Sequence, residues 1–396
     1  MSLPKTLIFF AGLFNFLGAF APDQNLSQNI KSTTMKLMFA GDIMGHRSQI
    51  ASAYNYKTKS YNYDFVFEKV ASLFAKADFA IANLELTFGG RPYGGFPQFS
   101  SPDSLADAIK KANINTLVTA NNHSADRGCR GIRRTISILD KRGILHTGTF
   151  ASQKEKEQKN LLVLKKDSLK VGLLNYTQDT NGIYVSRPCI VNIINKSRLK
   201  EDIKNAKDRV DKLIVFLHWG EQYRHYPTKK QRALADFLIK NGVDLVIGSH
   251  PHVIEPIIYK DKTDGLKSSI IVYSLGNFIS NQQRTGRDGG VVLEVDITKS
   301  GDLTKISGSK YYLTWVHKFY SRRGKRKYQI IPYFKRYFSR DKRYYYKMRD
   351  FIRNSKRVLK NSKIKLATTQ IDLRERERFF ALNYFKREVK DDLVIP

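Results

Sequence analysis

The feature that most constrains this chain is a repeated pattern. Short apolar runs of strand length alternate with stretches of helix length, and several of the runs end on a residue able to hold a metal ion. Leu245-Val246-Ile247 leads into Gly248-Ser249-His250-Pro251-His252. Leu213–Leu217 leads into His218, Phe39-Ala40-Gly41 into Asp42, and Thr119-Ala120-Asn121-Asn122 into His123. Apolar runs between helices mark strands buried on both faces, so the pattern predicts a mostly parallel or mixed sheet in an α/β fold. Side chains at the carboxyl ends of such strands gather along one sheet edge, where open α/β folds place their ligands.

Strands are expected at Lys36–Ala40, Asp78–Ala82, Asn115–Thr119, Ile144–His146, Lys170–Tyr176, Leu213–Leu217, Leu245–Ile247, Ser269–Tyr273 and Val291–Val295. Helices are expected at Tyr63–Lys76, Asp103–Ala112, Gly131–Arg142, Arg198–Ala206 and Thr228–Asn241. Pro102-Asp103 and Pro227-Thr228 read as helix starts, and Gly143 and Gly242 as C-terminal glycines. The strands after Ser269 follow one another without helices, which points to antiparallel pairing.

Charge sets a second constraint. The 69 Lys and Arg against 36 Asp and Glu give +33, which favours an anionic partner: a phosphopolymer, an acidic polysaccharide, polyglutamate, anionic lipid or nucleic acid. About half of the excess lies between His317 and Ala367, where 19 cations face 2 acidic residues. There Tyr333–Lys347 interleaves aromatics with cations, as an amphipathic helix folded back on the domain with its aromatics inward would. The charge itself suits a polyanion or an anionic membrane surface.

At the other end Lys5 precedes an apolar stretch from Leu7 to Phe20, and Ala19-Phe20-Ala21 offers a cleavage site before Pro22. Residues 1–21 are therefore expected to be a signal peptide or a retained signal-anchor, with the body exported to the periplasm or cell surface. The same reasoning makes nucleic acid an unlikely partner. Cys129 and Cys189 could pair in such a compartment, but two cysteines make a poor framework, and Cys129 reads as a bystander. Neither has the CxxC spacing of a metal site.

Five segments carry the candidate chemistry: Asp42 with the nearby His46; Asn83-Leu84-Glu85; Asn121-Asn122-His123 with Asp126; His218; and His250-Pro251-His252. Singly, an Asp or Asn after a strand is more often a cap or turn former than a ligand. His250 and His252 carry more weight, because i and i+2 share one side of an extended segment. Jointly the five supply carboxylates, an amide oxygen and imidazoles, the mix that lets two divalent ions share a bridging carboxylate and clamp the attacking and leaving oxygens of a hydrolysis.

In their order, Gly41-Asp42-Ile43-Met44, Asn83-Leu84-Glu85, Ala120-Asn121-Asn122-His123 through Gly128, His218-Trp219-Gly220, Ile247–Val253 and Tyr273–Phe278 resemble the CapA-type poly-γ-glutamate capsule synthesis proteins of the calcineurin-like metallophosphatase superfamily. The resemblance spans about Lys36 to Leu313. It implies a four-layer α/β/β/α sandwich at 34–316; it says nothing about the tail, where charge and aromatic content mark 317–396 as a basic, aromatic-rich extension. It also implies two divalent ions (Mn, Zn or Fe) held by Asp42, Glu85, Asn122, His218, His250 and His252, with Glu85 bridging and His123 protonating a leaving group. His46, Asn83, Asp126 and Asn277 are further candidates. Where superfamily phosphatases carry Asp-x-His, Asp42 is followed by Ile43-Met44, and Glu85 stands where Asp is usual.

Two functions of different classes follow. One is a dimetal hydrolase in assembly or release of an anionic surface polymer such as poly-γ-glutamate. The other is a non-catalytic, membrane-associated component that binds the polyanion and helps export it, as the charge of +33 would favour. A periplasmic nucleotidase rests on the superfamily alone.

Overall fold

Two sheets face each other across the core of the protein; the computed structural model describes residues 32–260, 268–282, 284, 286–321, 324–333 and 342–367. The first sheet has nine strands. Its path runs Arg326–Pro332, Leu303–Tyr320, Gly289–Ser300, Ser32–Ile43, Phe79–Leu84, Thr116–Val118 and Leu145–Thr147, with Asn277–Ile279 and Lys365–Leu366 pairing beside it. From Ser32–Ile43 to Leu145–Thr147 the pairing is parallel; towards Arg326–Pro332 it is antiparallel. The second sheet has six strands in the order Ile257–Lys260, Ser269–Val272, Leu245–Ser249, Lys212–His218, Leu169–Thr177 and Leu162–Lys166. Its central four are parallel and its two edge pairings antiparallel.

The alternation of side chains along a strand builds the layers. Leu37 and Phe39 share the inter-sheet core with Ile214, Phe216, Leu245 and Ile247 of the second sheet. Met38 and Ala40 point the other way, into a cluster with Leu105, Ile109 and Leu139 of the helices Ser104–Lys111 and Gly128–Lys141. On the far side, Val215 and Leu217 pack with Leu199 and Ile203 of Lys196–Lys207 and with Leu234 and Leu238 of Lys229–Lys240. The result is the expected α/β/β/α sandwich. Each large apolar side chain buried in it contributes roughly 1.5–3 kcal/mol.

The helix at 229 begins where its sequence says it should. Thr228 Oγ1 accepts from Gln231 N at 3.1 Å while Gln231 Oε1 accepts from Thr228 N at 2.8 Å, a reciprocal cap. The single helix expected over 63–76 is instead two short helices, Asp64–Phe67 and Ala71–Phe74, a break that brings Phe67, Val70, Leu73 and Phe74 into one outer cluster. Antiparallel pairing holds for Gly289–Ser300, but Ser269–Val272 runs parallel to Leu245–Ser249. Among the described residues no helix is long and apolar enough to cross a membrane.

The first sheet does not stop at residue 316. Leu303–Tyr320 runs through that position, Arg326–Pro332 pairs with it, and the helix Lys342–Val358 sets Met348, Phe351 and Ile352 into the inter-sheet core. Gly289 makes this docking feasible, because a Cβ there would stand 2.6 Å from the Phe351 ring. The buried face of this helix is thus Met348, Phe351 and Ile352, while Tyr344 is half-buried and Tyr346 exposed. The export segment 1–21, much of the Tyr333–Lys347 stretch and the tail beyond 367 lie outside the described residues. Cys129 and Cys189 are not bystanders: they form a disulfide, with Cα atoms 5.4 Å apart across a separation of 60 residues.

Candidate metal centre

Strand register brings the candidate residues together. In the first sheet Asp42 pairs in parallel with Asn83 and, on its other side, with Asn277. In the second sheet His218 lies beside Ser249 and Thr177. Two glycines permit the close crossings this requires. A Cβ on Gly41 would stand 1.8 Å from the Gly276 carbonyl oxygen, and one on Gly248 would stand 2.0 Å from that of Tyr273. The Asp42 amide donates to the Gly276 carbonyl at 3.0 Å.

Two buried triads result, Asp42–Glu85–His252 and Glu85–His218–His250, and Glu85 belongs to both. Within each, one donor atom per residue lies within 4.8 Å of the others. Glu85 Oε1 is 3.7 Å from His218 Nε2 and 3.7 Å from His252 Nε2. These separations are too long for hydrogen bonds. They suit donors that each sit ~2.0–2.2 Å from a shared ion. Both Glu85 oxygens are buried without a hydrogen-bond partner, and the side chain is wholly inaccessible. A carboxylate so placed needs a cation or a proton. Asn122 Oδ1 adds an amide oxygen, 2.9 Å from His218 Nε2. The donor set therefore fits a pair of divalent ions.

Electrostatics agree. Burial, then the charge of neighbouring Asp42, holds the Glu85 carboxyl well above the usual carboxylate range. Burial, then His250 and His252, pushes the His218 imidazole well below its usual value. Burial, then His252, takes His250 down to about 4. Neutral imidazole is the form that binds a metal.

The remaining candidates orient this set. His252 Nδ1 lies 3.1 Å from both Asp42 Oδ2 and Asn277 Oδ1, which leaves Nε2 towards Glu85. His218 Nδ1 lies 3.0 Å from Ser249 Oγ and 3.1 Å from Asn83 Nδ2, and Asn83 also donates to Asp42 Oδ1 at 2.8 Å. Asn83 and Asn277 are thus neighbours of the donors and stand outside both triads. Asp126 serves His123: its Oδ2 is 2.8 Å from His123 Nδ1 and accepts the Phe99 amide at 2.6 Å. The His123 ring packs edge-on against Phe99, 4.6 Å between centroids.

His46 joins neither triad. It caps the helix Arg47–Ala53, with Nδ1 3.0 Å from Gln49 Oε1, and burial takes it to about 4. The extended-segment argument for His250 and His252 also fails. Both have left-handed backbones, with φ of 102° and 58°, and they serve different triads. Positive φ at two non-glycine residues is backbone strain of the kind that collects at functional sites.

Sequence reasoning missed three side chains. Gln178 Nε2 lies 3.3 Å from His250 Nε2, Asn181 Oδ1 accepts from Asn122 Nδ2 at 3.1 Å, and Ser249 supports His218. Gln178-Asp179-Thr180-Asn181 directly follows the strand Leu169–Thr177, so the same strand-end signal would have found Gln178 and Asn181.

The site thus belongs to an α/β/β/α sandwich that gathers carboxylates, an amide and imidazoles at the strand ends between its sheets. A family model described as "Bacterial capsule synthesis protein PGA_cap" matches residues 36–282, more than half of the chain, and the chain belongs to that family. It is 28% identical over 279 residues to "Capsule biosynthesis protein CapA" of Bacillus anthracis, covering 67% of this chain and 65% of that one, a little under two thirds of the relative's length. It is 25% identical over 306 residues to "PGA biosynthesis protein CapA" of Bacillus subtilis (strain 168), covering 74% and 76%. Among solved structures it is similar to the calcineurin-like phosphoesterase YfkN of Bacillus subtilis, at 13% identity and a TM-score of 0.41, covering 82% of this chain and 98% of that one. A phosphatase of Mycoplasma pneumoniae gives 16% identity and a TM-score of 0.44, covering 72% and 94%.

Proposed function

We propose that this protein is an exported dimetal hydrolase acting on an anionic surface polymer of the poly-γ-glutamate kind during capsule assembly or release. The observation that carries the reading is Glu85, a buried carboxylate with both oxygens unpaired at the corner shared by two triads. The PGA_cap family supports the polymer class, and the charge of +33 supports an anionic substrate. Asp42, Glu85 and His252 would hold one ion, and Glu85, His218 and His250 with Asn122 the other; divalent ions seated there supply Lewis-acid charge and an activated water.

The chain's own residues do the rest. Asp126 Oδ2 accepts a hydrogen bond from His123 Nδ1 and fixes the ring, so that Nε2 is the atom able to pass a proton to a leaving group. Asn83 and Asn277 keep Asp42 and His252 from turning away. Gln178 and Asn181 close the site from the second sheet. The disulfide ties the helix that follows His123 to the segment that follows Asn181, and a structural disulfide accords with an oxidising compartment.

The test is cleavage of γ-linked polyglutamate and of a phosphodiester by Mn- or Zn-loaded protein. His123→Ala should retain its metal and lose about 10²–10⁴ in kcat. A loaded wild type inert on both substrates would overturn the hydrolase. The polymer-binding reading is favoured instead by the cationic helix Lys342–Val358, and salt-sensitive polymer binding by an inert protein would be its signature.

A further inference from the structure

Beside the metal centre a stacked pair of side chains takes no part in either triad. The guanidinium carbon of Arg287 lies 3.2 Å from the centre of the Tyr223 ring. The Tyr223 ring in turn lies 6.0 Å from the His252 ring, centroid to centroid, tilted by 34°. Tyr223 is tethered by its backbone to the metal-binding loop, and Arg287 to a neighbour of that loop, Asn277. The Tyr223 amide donates to the carbonyl of Pro251, between His250 and His252, at 2.7 Å. The Arg287 carbonyl accepts from Asn277 Nδ2 at 2.7 Å, and Asn277 Oδ1 meets His252. Tyr223 adopts φ of 69°, a further strained non-glycine residue, and is 39% exposed. Among the described residues Arg287 forms no ion pair with a carboxylate, and its guanidinium lies against the Tyr223 ring.

An arginine over an aromatic face has its stem fixed and its N–H edges free, which suits bidentate capture of a planar oxyanion. Held over a ring that lies 6.0 Å from the His252 ring, that fork is within reach of a polymer unit next to the bond at the triads. We infer that Arg287, held over Tyr223, is the substrate-recognition residue of this site and takes a carboxylate of the unit adjacent to the scissile bond. This rests on the polymer reading above and narrows it: the repeat must carry a free carboxylate within one unit of the cleaved linkage. Arg287 reads the charge and Tyr223 positions it.

Calorimetric titration of the full chain with γ-linked hexaglutamate tests this, in salt high enough to screen the exposed cations. Wild type is compared with Arg287→Met, Arg287→Lys and, as a control for net charge, Arg353→Met on the helix Lys342–Val358. The expected result is about tenfold or greater weakening by Arg287→Met, partial recovery with Arg287→Lys, and little change with Arg353→Met. Hexaglutamate with its carboxylates amidated should bind wild type and Arg287→Met equally weakly. Equal affinity of wild type and Arg287→Met, an equal loss in Arg353→Met, or no binding by wild type would each overturn the inference. Binding needs no turnover, so the two readings fail separately. Arg287-dependent binding by an inert protein removes the hydrolase and keeps the recognition residue; cleavage indifferent to Arg287 does the reverse.

Discussion

Replacing Glu85 by Gln should change stability in opposite directions with and without metal. In metal-free protein the wild-type carboxyl is buried, unpaired by hydrogen bonds and next to Asp42, which is why it is held protonated far above its usual range. Gln removes that burden at nearly constant shape, so EDTA-treated Glu85→Gln should melt at or above the wild-type temperature. In loaded protein Glu85 contributes to both triads. Ions at a hundredfold excess over their dissociation constants stabilise a folded protein by about 2.7 kcal/mol per site, or roughly 5 kcal/mol for two. For a domain of this size that is on the order of 10 °C in Tm. Most of this should vanish in Glu85→Gln. Thermal melts of both proteins with EDTA and with Mn or Zn supply the four values needed. If Glu85 were merely an ion-pair partner of His218 and His252, Gln would lower Tm equally in both conditions, and that outcome would rule out a metal-bridging role.

Two further outcomes follow from buried groups away from the triads. Glu255 is buried with Oε2 accepting from Gln231 Nε2 at 2.9 Å and Oε1 unpaired, and burial pushes its carboxyl up to about 8. The folded state therefore holds a proton that the unfolded chain releases above the ordinary value of 4.5. Its stabilising contribution is full below that value and is lost as pH rises towards 8. In urea titrations with EDTA, Glu255→Gln should flatten this decline; an unchanged slope across the window would contradict the assignment. Cutting the Cys129–Cys189 bond, which spans 60 residues, should cost about 4 kcal/mol. Chemical denaturation of Cys129→Ser beside reduced wild type measures this, and no difference from the oxidised protein would count against a structural bond.

Much of this was legible because parallel strands buried on both faces leave a plain trace: an apolar run, then a residue released from the sheet. All nine expected strands form, with ends shifted by a few residues, and Asp42, Glu85, Asn122, His218, His250 and His252 converge. What was not legible depends on three-dimensional context. The β-like runs on either side of the basic turn at 320–328 are legible, but the full length of Leu303–Tyr320 is not, because its first half is mostly exposed or half-buried and its second buried. The disulfide joins residues 60 apart with no spacing signal. The divergence of His250 and His252 comes from left-handed turns that no i, i+2 rule anticipates. Glycines signalled crossings at Gly41 and Gly248 but not their partners, Gly276 and Tyr273.

The proposed dimetal centre requires Glu85 to join two cation seats. Elemental analysis of protein incubated with Mn or Zn and then desalted tests it most directly. Two ions per chain in wild type, and a clear loss in His250→Ala, is the result predicted. A wild type that retains no divalent metal would contradict it.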